Sequence, residues 1–164
     1  MIEIEITQEM ITEAKRLADE LGSLRNSIRN GEGNIVGFLG ELCFLKHYKE
    51  AFRDNDYDHD IIFNNKKVEV KTKDRTVPPK PEYECSIANY NTKQLTDYYF
   101  FVSLLRIGSE YKKGFLLGYI PKDEYIKKAK FLKKGDIDPS NNFTVRADCW
   151  NLPISQLRGV KHGK

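Results

Sequence analysis

The stretch "DIIFNNKKVEVKT", residues 60–72, constrains the fold more than any other part of this chain. Two apolar, β-branched runs flank Asn64-Asn65, and Asn tolerates the positive φ that both central residues of a tight hairpin turn need. The pattern predicts an antiparallel hairpin. Side chains alternate along a strand, so Val68, Val70 and Thr72 point to one face and Glu69 and Lys71 to the other. With the turn at Asn64-Asn65, the register sets Asp60 directly opposite Glu69. Like charges opposite each other on a ladder destabilise it. Such a hairpin either lies at a solvated surface or holds a cation between its two acids.

The rest of the chain supplies partners for this hairpin. Residues 8–29 repeat apolar positions at helical intervals, and "NGEGN" (30–34) breaks them. Asn34 suits the cap of a second helix over "IVGFLGELCFLKHYKE", apolar around most of its circumference, with Gly37 and Gly40 permitting close backbone approach. A proline-rich loop (73–82) follows the hairpin, then a strand at 83–90, a short helix or turn at "NTKQLTD" and a long apolar strand, 98–107, buried on both faces. A partner strand at 113–120, a helix over 121–135, a strand at "NFTVRA" and a last turn at "PISQLR" complete the reading. The order predicts one α/β (α+β) domain over residues 1–164, a central mixed sheet flanked by helices. At 164 residues it can bury about two-thirds of its unfolded surface.

Composition excludes several classes. With 27 basic and 24 acidic residues the net charge is +3, so partners must be read from where charges cluster. Cys43, Cys85 and Cys149 show no metal-ligand spacing, which argues against zinc, and an odd count suits reduced thiols in a cytoplasm. "MIEIEITQEM" is acidic and alternating, unlike a signal peptide, and no apolar run nears the roughly 18 residues of a membrane helix. We expect a cytoplasmic protein with no membrane partner. No GxxxxGK[ST] loop is present, so no nucleotide cofactor is expected, and no Ser or Cys stands at triad spacing from a His.

Acids without cysteine or histidine partners suit Mg²⁺ or Mn²⁺. Asp60 and Glu69 are the expected ligands, with the Val70 backbone carbonyl able to reach the same ion and Lys71 beside it on the Glu69 face. Asp58, two residues back on the face of Asp60, is a rival ligand. A Glu-x-Lys string alone usually marks a solvated strand face; the acid at the opposing position is what favours a metal.

The segment from Asp60 to Lys71 resembles the D…(D/E)xK signature of the PD-(D/E)xK nuclease superfamily, with an acid opening one strand and acid-x-lysine in the next. The resemblance implies a restriction-endonuclease-like core, helix–three strands–helix–strand, over about 34–106, with 107–164 as a C-terminal elaboration. It also implies a further acid from the preceding helix, a role that Glu41 matches. His59 stands where the signature has proline. "QLTDY" resembles the Q-xxx-Y element of recombination-exonuclease branches, which adds Gln94 to the site and gives Tyr98 a weaker claim. The implied activity is a Mg²⁺-dependent deoxyribonuclease hydrolysing DNA by metal-activated water, with Glu41, Asp60, Glu69, Lys71 and Gln94 in the catalytic set. Arg25, Arg29 and the glycine-rich loop through Asn34, together with Lys67, Lys73 and Arg75, are the expected DNA contacts. So small a domain resembles phage or mobile-element nucleases acting in a bacterial or phage-infected cell, and cutting both strands would favour a homodimer. The alternatives are a non-catalytic nucleic-acid-binding module of this fold, or a phage–host interaction protein whose acids are merely surface.

Overall fold

The computed structural model describes residues 1–22, 32–54, 56 and 58–161. Its main sheet has six strands: β1 (Ile2–Glu5), β2 (Phe52–Arg53), β3 (Ile61–Phe63), β4 (Lys66–Arg75), β6 (Tyr98–Ile107) and β7 (Glu110–Pro121). They lie in the order β1-β7-β6-β4-β3-β2. Every neighbouring pair is antiparallel except β4 and β6, which run parallel and make the sheet mixed. A second sheet, in the order β5-β9-β8, is formed by β5 (Glu84–Ala88), β8 (Lys130–Leu132) and β9 (Cys149–Pro153). The helices are α1 (Gln8–Leu21), α2 (Glu32–His47) and α3 (Lys122–Lys128). None among the described residues is long and apolar enough to cross a membrane.

The predicted hairpin forms. Asn64 and Asn65 both take positive φ, 50° and 59°, and Ile61 pairs with Val68, Ile62 with Lys67 and Phe63 with Lys66. Continued by one residue, that register would set Asp60 opposite Glu69, but the ladder stops at Ile61–Val68 and the Asp60 N–H bonds the Val68 carbonyl. Val68 and Val70 enter one hydrophobic cluster, beneath α1 and α2, with Phe100, Val102 and Leu104 of β6. Tyr99 and Phe101 of β6 enter the other, with Cys85, Leu152 and Tyr125. Strand β6 is thus covered on both sides, which explains its unbroken apolar run.

Helix α2 is apolar nearly all round because α1 covers one side and the sheet the other. Gly40 is where it meets the sheet: a Cβ there would lie 1.8 Å from the Thr72 Oγ1 atom. Gly37 meets nothing, so only Gly40 provides the predicted close approach.

Other expectations need correction. Helix α1 stops at Leu21, where Gly22 at φ 69° donates its N–H to the carbonyls of Ala18 and Asp19. The remainder of the predicted 8–29 helix lies outside the described residues. Helix α2 begins at Glu32, so Asn34 sits within its first turn and is not its cap. The strand expected at 83–90 exists as β5 but joins the second sheet. The helix expected over 121–135 ends at Lys128 because Lys130–Leu132 pairs with β9 as β8. "NFTVRA" makes only an isolated bridge, Ile137 to Thr144, and the late strand is Cys149–Pro153 around Trp150. β1, whose buried and exposed residues alternate, was not expected as a strand.

Candidate metal centre on the open flank of strand β4

Strand β3 pairs with only the first residues of β4, Lys66 to Val68. Beyond that point β4 keeps β6 as its one neighbour as far as Arg75. On the side that β3 has left, Asp60 substitutes for the missing strand: its N–H donates to the Val68 carbonyl at 3.1 Å, and its Oδ2 accepts the Val70 N–H at 2.9 Å. In an extended strand the N–H and C=O of one residue face the same edge. The Val70 carbonyl therefore looks onto the same flank as Asp60, as its expected role requires.

Four ionic side chains surround this flank. Lys71 Nζ donates to Glu69 Oε1 at 2.7 Å, and Arg53 Nε donates to Glu41 Oε2 at 2.9 Å. Glu41 and Glu69 are each only 6% exposed. With Asp60, three carboxylates face two cations, which leaves a surplus negative charge in a poorly hydrated place. All three are accordingly pushed up to about 7. Burial is the main cause for each, with the Glu41 charge next for Asp60, the Asp60 charge for Glu69 and the Glu69 charge also acting on Glu41. Arg53 opposes the rise at Glu41, as Lys71 does at Glu69 and Asp60.

Several buried polar atoms here have no hydrogen-bond partner among the described residues: Glu69 Oε2, Arg53 Nη2 and the Tyr99 hydroxyl. Leaving such groups unpaired costs roughly 1–3 kcal/mol each, more when charged. Among the described residues no three His, Cys, Asp or Glu side chains form a ready-made metal cage. Mg²⁺ typically takes one or two carboxylates and keeps several waters. The orphaned Glu69 oxygen, Asp60 and the Val70 carbonyl are a donor set of that kind.

The remaining expected residues fall in three groups. Lys67 is exposed at the start of β4, its N–H bonded to Asp97 Oδ2 at 2.8 Å. Lys73 and Arg75 follow Glu69 and Lys71 along one face, and Lys71, Lys73 and Arg75 line a cavity of about 150 Å³ against β5. Arg75 is held there by the Glu84 carbonyl at 3.1 Å and by the Tyr83 ring, 4.8 Å from its guanidinium. Burial, then the Arg75 charge, lowers the Lys73 pKa, so an anion there would be welcome.

Asp58 does not join the acids: its Oδ1 accepts the Leu95 N–H at 2.8 Å, tying the hairpin entry to the turn after Asn89–Lys93. Gln94 lies in that same turn, where its carbonyl accepts from Lys122 Nζ. Tyr98 points to the α2 side with Val68, its register partner, and so lies across the sheet from Glu69. Arg25 and Arg29 are outside the described residues.

Two residues were not anticipated. Arg53 neutralises Glu41 from a two-residue strand, and its partner lies twelve positions upstream on a helix. Tyr99, not Tyr98, shares the face of Glu69: the two are register partners, and burial followed by the Glu69 charge pushes the phenol up to about 12. The alternation of β6 carried that signal, had its register against β4 been known. No protein-family model matches the chain, and no curated protein matches it either.

Proposed function

We propose that the protein is a Mg²⁺-dependent nuclease of the PD-(D/E)xK type, hydrolysing phosphodiester bonds in DNA. The observation that carries this reading is the convergence of Asp60, Glu69 and Lys71, with Glu41 arriving from α2, on the one flank of β4 that no strand covers. The chain order supports it as well: α2, then the antiparallel strands β2, β3 and β4, then a crossover to the parallel strand β6. The resemblance implies helix–three strands–helix–strand; here β5 and a short 3₁₀ turn stand where its second helix would.

Asp60, Glu69 and the Val70 carbonyl would hold the metal, and Glu41 would complete or orient its surroundings. A bound divalent ion supplies Lewis acidity toward water and the phosphodiester oxygens. The protein groups do the rest. Lys71 Nζ, fixed by Glu69, is available to donate to a phosphoryl oxygen as negative charge builds on it. Arg53 keeps Glu41 aligned, and the bond from the Val70 N–H fixes one oxygen of Asp60 so that the other faces the flank. Lys67, Lys73 and Arg75 would contact the DNA backbone. Two copies would serve double-strand cutting, and the free thiols of Cys43, Cys85 and Cys149 suit the cytoplasm of a bacterial or phage-infected cell.

A second reading draws on the two preformed ion pairs, Arg53–Glu41 and Lys71–Glu69. They would equally hold together a non-catalytic nucleic-acid-binding module. Incubation with linear, circular, single-stranded and branched DNA, with and without Mg²⁺, separates the two. The nuclease reading expects Mg²⁺-dependent cleavage that disappears in Asp60→Ala and Lys71→Ala; full cleavage by either variant sinks it.

A further inference from the structure

Across β4 from the acids lies a basin of about 480 Å³, within the usual size range of ligand sites. Its enclosed part is made by Phe44, Val68 and Phe100, each at most 5% exposed. Around these stand the half-buried rings of Tyr48, Phe63, Tyr98 and Tyr119. The rings meet edge-on or tilted: Tyr48 and Phe63 are 4.7 Å apart at 46°, and Tyr98 and Tyr119 5.9 Å apart at 67°. Among the described residues no hydrogen bond engages the hydroxyls of Tyr48, Tyr98 or Tyr119. Among the described residues no acidic side chain lines the basin, whereas Lys66 and Lys161, both exposed, do.

Aromatic surface with cations at the rim suits a planar ring flanked by negatively charged groups, as a nucleobase is by its phosphates. A base within a duplex is stacked on both sides and cannot enter such a hollow, but an unpaired base can. The exposed rim at Asn64, Lys66 and Lys161 leaves room for a chain to continue past it. The hairpin tip links the basin to the acids. Val68 lines one and its neighbour Glu69 belongs to the other, while Lys66 and Lys67 alternate to opposite faces. A phosphate backbone rounding the tip would meet Lys67 on the side of the acids and Lys66 on the side of the basin.

We propose that the basin binds one unpaired base of a single-stranded DNA end, with Lys66 and Lys161 contacting its flanking phosphates. This rests on the nuclease reading and sharpens it: the preferred substrate carries a single-stranded end. The test is binding of a fluorescein-labelled ten-nucleotide oligothymidine and of a blunt duplex, by fluorescence anisotropy in EDTA so that nothing is cleaved. Stacking of one base is worth roughly 1–3 kcal/mol, about 5- to 150-fold in affinity. Tyr48→Ala should therefore weaken the single strand at least about fivefold and leave the duplex unchanged. Lys66→Glu, at an exposed site that folding tolerates, should do the same and flatten the salt dependence. Photo-crosslinking of an oligonucleotide carrying one 5-iododeoxyuridine should map to Tyr48, Phe63, Tyr98 or Tyr119. Unchanged single-strand binding in both variants overturns the inference, as does an equal loss on duplex, or crosslinks elsewhere as for a basin that takes a protein partner. Mg²⁺-dependent cleavage with basin-independent binding sinks this inference alone. Basin-dependent binding without any cleavage upholds it and sinks the nuclease reading instead.

Discussion

The first residues of β4 and those from Glu69 onward belong to one strand, yet they live differently. Residues 66–68 pair with β3, and Val68 pairs with β6 as well. From Glu69 onward only β6 remains, and an aspartate side chain, a glutamate from α2 and two cations occupy the vacated flank. Ending a neighbouring strand early is how this sheet exposes polar backbone and gathers charge without giving up the hydrophobic face beneath. Val70 illustrates both: its side chain is in the core and its N–H binds Asp60.

The sharpest way to break the contrast is to disable the unpaired half alone. Lys71→Ala should lower Mg²⁺-dependent cleavage by about 10²-fold or more and, by stripping buried Glu69 of its partner, cost about 1–3 kcal/mol in denaturant melts; lost stability with cleavage intact would show that both halves are merely structural. Gly40→Ala attacks the packing that sets α2 against β4. Its Cβ would collide with Thr72, so we expect about 1–3 kcal/mol of destabilisation in denaturant melts. Gly37→Ala, with open space, should instead be neutral or gain up to about 1 kcal/mol.

Acidity probes the flank directly. Glu41, Asp60 and Glu69 hold protons up to about pH 7 in the folded chain, whereas the unfolded chain releases them near pH 4. The native state thus binds more protons across that interval, and stability without divalent ions should fall as pH rises from about 4 to about 7. Mg²⁺ should reverse the fall at pH 7 and above, by roughly 2.7 kcal/mol at a hundred times its dissociation constant. Thermal melts across pH, with Mg²⁺ and with EDTA, read this out; a flat profile would mean that no surplus charge is buried here. The smallest effect belongs to the paired half: Asn65→Gly, at φ 59°, should raise stability by a few tenths of a kcal/mol, as glycine adopts that conformation freely.

What could be read from residues alone was local. The hairpin, its turn and the closeness of Asp60 to Glu69 depend on contacts within a dozen residues, which the turn residues and period-two patterning indicate. Lys71 follows from Glu69 by the same parity. Long-range pairing was not legible. β5 and β9 are far apart in the chain, so nothing in "YECSIANY" says it joins Trp150 rather than the main sheet. The Q-xxx-Y resemblance points to Tyr98, whereas only the parallel register of β4 and β6 shows that Tyr99 shares a face with Glu69. Register favours Asp60 and leaves Asp58 a rival; only the bond from the Leu95 N–H shows where Asp58 is engaged.

The crossover from β4 to β6 has a consequence for the order of folding. It carries β5, which cannot find its edge until β9 exists, since Glu84 pairs with Pro153 and Ala88 with Cys149. Tyr125 adds a second tether, its hydroxyl donating to the carbonyls of Cys85 and Trp150 at 2.9 and 2.8 Å. During synthesis the hairpin, α2 and β6 can assemble while the wall beside Lys71, Lys73 and Arg75 is still missing. Contacts of such sequence separation form late. The cavity next to the acids therefore closes only once β9 is made, and a nascent chain stopped before residue 149 would carry the acids without it.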